Sequence, residues 1–317
     1  MSAATKPALS VAQLAGLATR GPAVDDAAGL FGPGSMAWRV DREVLVLAGG
    51  SCALLMQAAH PAVAAGVAQH SGYRHDPIGR LLRTLSSSFA VVFGTRRQAV
   101  AAIRRVNAVH ASVRGRVPET GEPYSALAPD ALLWVHATLV DTALRIYDRF
   151  VAELAPEEME AYYRECAPVA ELLGVPSDTL PATQGELRSW MDEMIGAGHV
   201  HVTPTALDIA RTIVRPTRFP PGFVWDAAHL VSLSMLPDPL RRQYGIGWSA
   251  SRERGVERLA AVTRRVLPWV PAVLRFVPHA RSAEARVARA HARVAGAGAG
   301  ARSRSRQSVS LPRPVTG

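Results

Sequence analysis

Lysine is all but missing from this chain: Lys6 is the only one, and the remaining basic residues are arginines and ten histidines. That absence removes the phosphate-binding P-loop, whose lysine must reach the nucleotide phosphates. Cysteine is almost as scarce. Cys52 and Cys166 lie far apart without metal-ligand spacing, so neither a disulfide framework nor a zinc site is expected, and a reducing cytoplasm is the compartment that fits. No G-x-S-x-G elbow, H-E-x-x-H pair or doubled C-x-x-C occurs, which sets hydrolase and zinc-protease chemistry aside. The opening residues, Met1-Ser2-Ala3-Ala4-Thr5-Lys6-Pro7, lack the charged-then-apolar layout of a secretory signal, so export is not expected. Aromatic residues make up only 6% and alanine is abundant, a composition that favours close-packed helices over strands.

What is present is enough for a folded body: 317 residues, 48% of them hydrophobic. The net charge of +10 is unevenly spread. From Arg252 to the end there are 14 Arg and 3 Glu, which leaves 22 basic and 23 acidic residues before it. The body is neutral and the end is basic, so nucleic acid is not the expected partner of the body. The basic end reads as a solvated extension able to touch an anionic membrane surface. Residues 44–69 contain no Asp, Glu, Lys or Arg, yet His60-Pro61 interrupts them. Together with Gly49, Gly50, Ser51 and Gln57, that break predicts two buried core helices rather than a membrane span.

The periodicity predicts a single all-α domain. Residues 1–35, rich in Ala, Gly and Pro, form an N-terminal arm; 36–280 form the helical body; 281–317 form an Ala/Arg/Gly-rich tail expected to be largely disordered. Within the body, helices are expected over 37–59, after Pro61, from Pro77 to Phe93, over 96–116, 129–154 and 156–173, and from Thr183, with Glu186 as its capping-box partner, to Ile195. Shorter helices are expected over 196–243, then a longer one to about 267. In the 96–116 helix, Ala99, Ile103, Val106, Val113 and Val117 mark one buried face, and His110 falls on it.

Five histidines in the first half, His60, His70, His75, His110 and His136, are the candidate chemical groups. On periodicity alone, His110 reads as a core residue with a hydrogen-bond partner, the commoner fate of such a histidine. Arg80, Arg83 and Thr84 share one face of an otherwise apolar helix at i, i+3 and i+4. A buried guanidinium needs a partner there: a structural carboxylate, a cofactor carboxylate or an anionic substrate.

The ordered set His60-Pro61, Gly66-Val67, His70-Ser71, Arg80-x-x-Arg83-Thr84, Val92-Phe93-Gly94, Val109-His110-Ala111-x-Val113-Arg114-Gly115 and Trp134-Val135-His136-Ala137-Thr138 resembles the domain shared by bacterial rubber oxygenases (latex-clearing proteins) and MpaB-type oxygenases. The resemblance covers about residues 30–270. It implies a globin-like helical fold around a non-covalent haem b, with His110 as the iron ligand and Arg80 and Thr84 on the distal side. Arg83, Arg114 and His136 become further candidates for contact with the cofactor, His136 being the alternative ligand. Two departures stand out. Arg83 replaces a lysine that in the rubber oxygenases ligates the iron reversibly, and a guanidinium is a very poor ligand. No acid occurs between Glu43 and Asp76 to match their upstream glutamate base, so either His60 or His70 takes that role or the chemistry differs.

The expected function is therefore a haem-dependent oxygenase using O2 on an apolar substrate, an isoprenoid or another alkene, with an electron donor the sequence does not name. Two alternatives stay open: a haem-binding sensor or carrier without turnover, and a haem-free helical protein that is cytoplasmic but membrane-peripheral through Trp269, Val270, Leu274, Phe276 and the basic end.

Overall fold

Helices in this chain begin where a side chain caps the first turn or a proline enters it. The computed structural model describes residues 23–213 and 222–307. After α1 (Ala23–Ala28), the Ser35 hydroxyl accepts the Trp38 amide and opens α2 (Met36–Asp41). The unbroken helix expected over 37–59 is not formed. α2 stops at Asp41, a 3-10 turn occupies Val44–Gly49, and α3 (Gly50–Ala58) follows. The cause lies at the far end of the chain: Glu43 forms an antiparallel bridge with Phe276, and its buried carboxylate accepts three bonds of 2.7 to 3.0 Å from the Arg275 guanidinium. His60 is extended, as the residue before proline must be, and Pro61 opens α4 (Pro61–His70). The segments flanking His60 meet at 105°, and among the described residues no single helix is long and apolar enough to cross a membrane.

Asp76 accepts the Gly79 amide and opens α5 (Pro77–Phe93); Thr95 and Gln98 form a capping box that opens α6 (Arg96–Ser112). α6 falls short of the expected 116, because Arg114–Arg116 (β1) pairs antiparallel with Pro123–Ser125 (β2). α7 (Pro129–Ile146) passes into a π-helical turn at Tyr147–Val151 instead of running on to 154. α8 (Pro156–Leu173) closes on Gly174 at φ 110°, a left-handed conformation that glycine adopts without strain. Thr183 caps α9 (Gln184–Gly196) as expected. The proline-broken region holds the short helices α10 (Pro204–Ile213), α11 (Gly222–Met235) and α12 (Asp238–Gln243). α13 (Ala250–Val266), a 3-10 turn at Leu267–Trp269, α14 (Ala272–Arg275) and α15 (Pro278–Gln307) complete an all-α architecture.

α7 is the axis of the core. Trp134, Ala137, Val140, Leu144 and Ile146 are buried among residues of α2, α3, α8 and α11. At Gly49 a β-carbon would lie 2.5 Å from Thr142, so only glycine lets the 3-10 turn approach α7 this closely. Both cysteines are free and buried. The expected boundary at 281 falls inside α15, where Ala280, Ala283 and Val287 are buried and Arg286 donates to the carbonyls of Ala27 and Phe93. α15 continues to Gln307, across residues expected to be structureless; 1–22 of the arm and 308–317 of the tail lie outside the described residues.

Candidate functional site

α5 and α6 are joined only by Gly94 and Thr95 and pack on each other as a helical hairpin. Arg80 lies thirteen residues before Phe93, and His110 fourteen residues after Arg96. At 1.5 Å of rise per residue, both therefore sit about 20 Å from the turn, at the open end of the hairpin. α4 reaches the same end, because the His70 ring meets the Arg114 carbonyl at 3.2 Å just past the end of α6. Arg80, His110, Arg114 and His70 therefore lie toward the same end of the hairpin.

The His110 ring is half-buried, and its Nδ1 is fully enclosed without a hydrogen-bond partner. Burial lowers its pKa, which keeps the imidazole neutral at physiological pH. The bond that would fix the ring's tautomer is not made by Nδ1 among the described residues. Arg80 is half-buried too, and its guanidinium meets no carboxylate among the described residues. Burial first, then the like-charged Arg83, lowers its pKa. Arg83 does not share this environment: it is exposed and pairs at 3.0 Å with Asp76, the cap of its own helix. The Thr84 hydroxyl is turned back to the Arg80 carbonyl at 3.0 Å, and His70 and Arg114 are exposed.

Beside these polar groups the hairpin leaves large apolar side chains uncovered. Leu82 is 60% exposed, and Leu81 and Val109 are exposed as well, so α5 is less enclosed than its apolar sequence predicts. Val109 immediately precedes His110. A neutral imidazole, a guanidinium that meets no carboxylate among the described residues and exposed apolar side chains thus lie toward one end of the hairpin.

His60 and His136 belong elsewhere. His60 caps the opposite end of α4, buried, with its Nε2 3.8 Å from a carboxylate oxygen of Asp130 in the first turn of α7. That carboxyl is held below its ordinary pKa, first by His60. Asp130 is the residue sequence reasoning missed: the acid absent upstream arrives from α7, and its only signal was its place behind Pro129, where it read as a helix start. His136 is enclosed within α7; burial pulls its pKa down to about 4, and its Nε2 has no hydrogen-bond partner among the described residues. Among the described residues no group of three or more His, Cys, Asp or Glu converges to hold a bare metal ion. A metal carried by a macrocycle requires only one such ligand.

The chain is thus an all-helical body with its candidate groups drawn from the first half of the sequence. The family model described as ER-bound oxygenase mpaB/B'/Rubber oxygenase, catalytic domain, matches residues 38–265, and the chain belongs to that family. No curated protein and no solved structure matches it.

Proposed function

We propose that this oxygenase depends on haem b held by His110 and acts with O2 on an apolar substrate, an isoprenoid or another alkene. When bound, the group supplies the redox-active iron that oxygen chemistry requires. Residues of the α5–α6 hairpin provide the rest. His110, kept neutral by its surroundings, offers a nitrogen lone pair without first losing a proton. Arg80 has the charge to receive a propionate and meets no carboxylate among the described residues. Leu81, Leu82 and Val109 offer apolar cover to a porphyrin or to the substrate. Arg83, engaged with Asp76, is assigned no part as a ligand. Of the two upstream histidines, His70 lies at the hairpin's open end, whereas His60 has a carboxylate beside it, Asp130 at 3.8 Å from its Nε2.

The observation that carries the proposal is the neutral, half-buried imidazole of His110 in a chain of an oxygenase family. Protein purified after expression with sufficient haem should show a Soret band that shifts on dithionite reduction. His110→Ala should lose it, while His136→Ala keeps it. A colourless wild-type protein defeats the reading, and the opposite pattern in the two variants transfers the ligand to His136. Oxygen consumption with apolar substrates then separates an oxygenase from a carrier, which consumes none.

A further inference from the structure

Trp269 is 86% exposed and Leu274 69%, and Val273, Val262 and Val266 beside them are exposed as well. Side chains of this kind often mark a loose end, but this ridge, at 262–274, is held at both sides. On one side Arg275 forks onto the buried Glu43 carboxylate, the Val277 amide donates to the Arg42 carbonyl at 2.8 Å, and the Phe276 ring lies 4.3 Å from the Arg42 guanidinium. On the other, Leu267 packs against the main core. Between them the Val270 and Leu274 amides bond to the carbonyls of Leu267 and Pro271, and Pro268 and Pro271 restrict the backbone. The ridge is ordered in advance, so presenting its apolar tip carries little entropic cost on binding.

The ridge's own segment carries charge of one sign. From 258 to 283 the chain contains five arginines and no Asp or Glu. Arg275 is neutralised by Glu43, and Arg264 borders a cleft that also holds Asp148 and Glu153. Arg258, Arg265 and Arg281 remain, the first two on one exposed face of α13 with Val262 and Val266, at spacings of three, four and seven residues. A second copy of the chain would bring the same positive charge against this face, which opposes self-association. An anionic bilayer meets both features at once, with indole and leucine at the headgroup level and guanidinium groups on lipid phosphates.

We propose that the ridge at 262–274 docks the protein on anionic lipid membranes, with Trp269 and Leu274 inserted and Arg258 and Arg265 against the phosphates. The proposal is independent of haem. The full chain should float with vesicles of phosphatidylcholine containing phosphatidylglycerol and bind neutral phosphatidylcholine vesicles far less. The pair Trp269→Ser and Leu274→Ser, both at exposed positions that leave the fold intact by circular dichroism, should weaken binding at least about tenfold. Arg258→Gln and Arg265→Gln should each weaken it about fivefold. Four results overturn the proposal: vesicle binding unchanged in the Trp269/Leu274 variant, binding indifferent to lipid charge, binding abolished only by removing residues after Ala295, or a wild-type dimer that the Trp269/Leu274 variant converts to monomer without any vesicle binding.

Discussion

α5 and α7 are both strongly apolar helices, nearly equal in length, yet they end in opposite states. α7 is enclosed: thirteen of its eighteen residues are buried, the Trp134 indole donates to the Met56 carbonyl at 2.8 Å, and Thr138 accepts from Gln57. The first half of α5 is open, with Leu81 and Leu82 exposed and Arg80 meeting no carboxylate among the described residues. The difference follows from what each helix touches. α7 is packed by α3, α8, α9 and the turns on either side of it, whereas α5 rests mainly on α6 and is touched by α2 and α15. A helix completed by protein holds the fold; one left incomplete by protein is where a ligand has something to add.

The widest gap should appear when an anchor of the enclosed helix is removed. Trp134→Ala empties a large, fully buried site and breaks the bond to Met56, so urea denaturation should show a loss of about 3 to 5 kcal/mol. A loss below about 1 kcal/mol would mean that α7 is not the axis of the core.

A second test uses the orphan inside α7. His136 has a folded pKa of about 4 against an ordinary 6.5, lowered by burial. Its neutral form contributes fully above pH 6.5; as the pH falls, the unfolded chain takes up a proton that the folded chain refuses until about pH 4. The stabilisation is therefore lost over that window, to a total of about 3 kcal/mol. Urea midpoints at pH 7 and pH 5 should fall more in the wild type than in His136→Leu, which has nothing to titrate there. Equal slopes would show that the ring reaches water or a proton donor.

These features were unequally legible in the sequence. The caps at Asp76, Thr95 and Thr183 and the break at His60-Pro61 were readable because their causes lie within four residues of their effects. The break after Asp41 was not, since it depends on Arg275 and Phe276 meeting Glu43 across more than 230 residues. The paired strand at Arg114–Arg116 was too short to leave a pattern. Spacing placed Arg80, Arg83 and Thr84 on one face, but it could not show that Asp76 would claim Arg83. The distance from His60 to Asp130 is likewise a product of folding: the two are seventy residues apart in the chain.

The smallest effect is also the most discriminating. Leu133 in α7 is buried and Leu82 in α5 is not, so one substitution can be made in both settings. Leu133→Ala should cost about 2 to 5 kcal/mol. In haem-free protein, Leu82→Ala should change stability by no more than about 0.5 kcal/mol, because water already covers most of that side chain. If a porphyrin or an apolar substrate lies against α5, the same Leu82→Ala must remove contacts that exist only in the complex. Ligand affinity should then fall roughly tenfold, as expected for one to two methylene-sized groups returned to water. A Leu82→Ala protein destabilised without ligand as strongly as Leu133→Ala would mean that protein already covers α5, and the open surface at the end of the hairpin would no longer be available to the proposed cofactor.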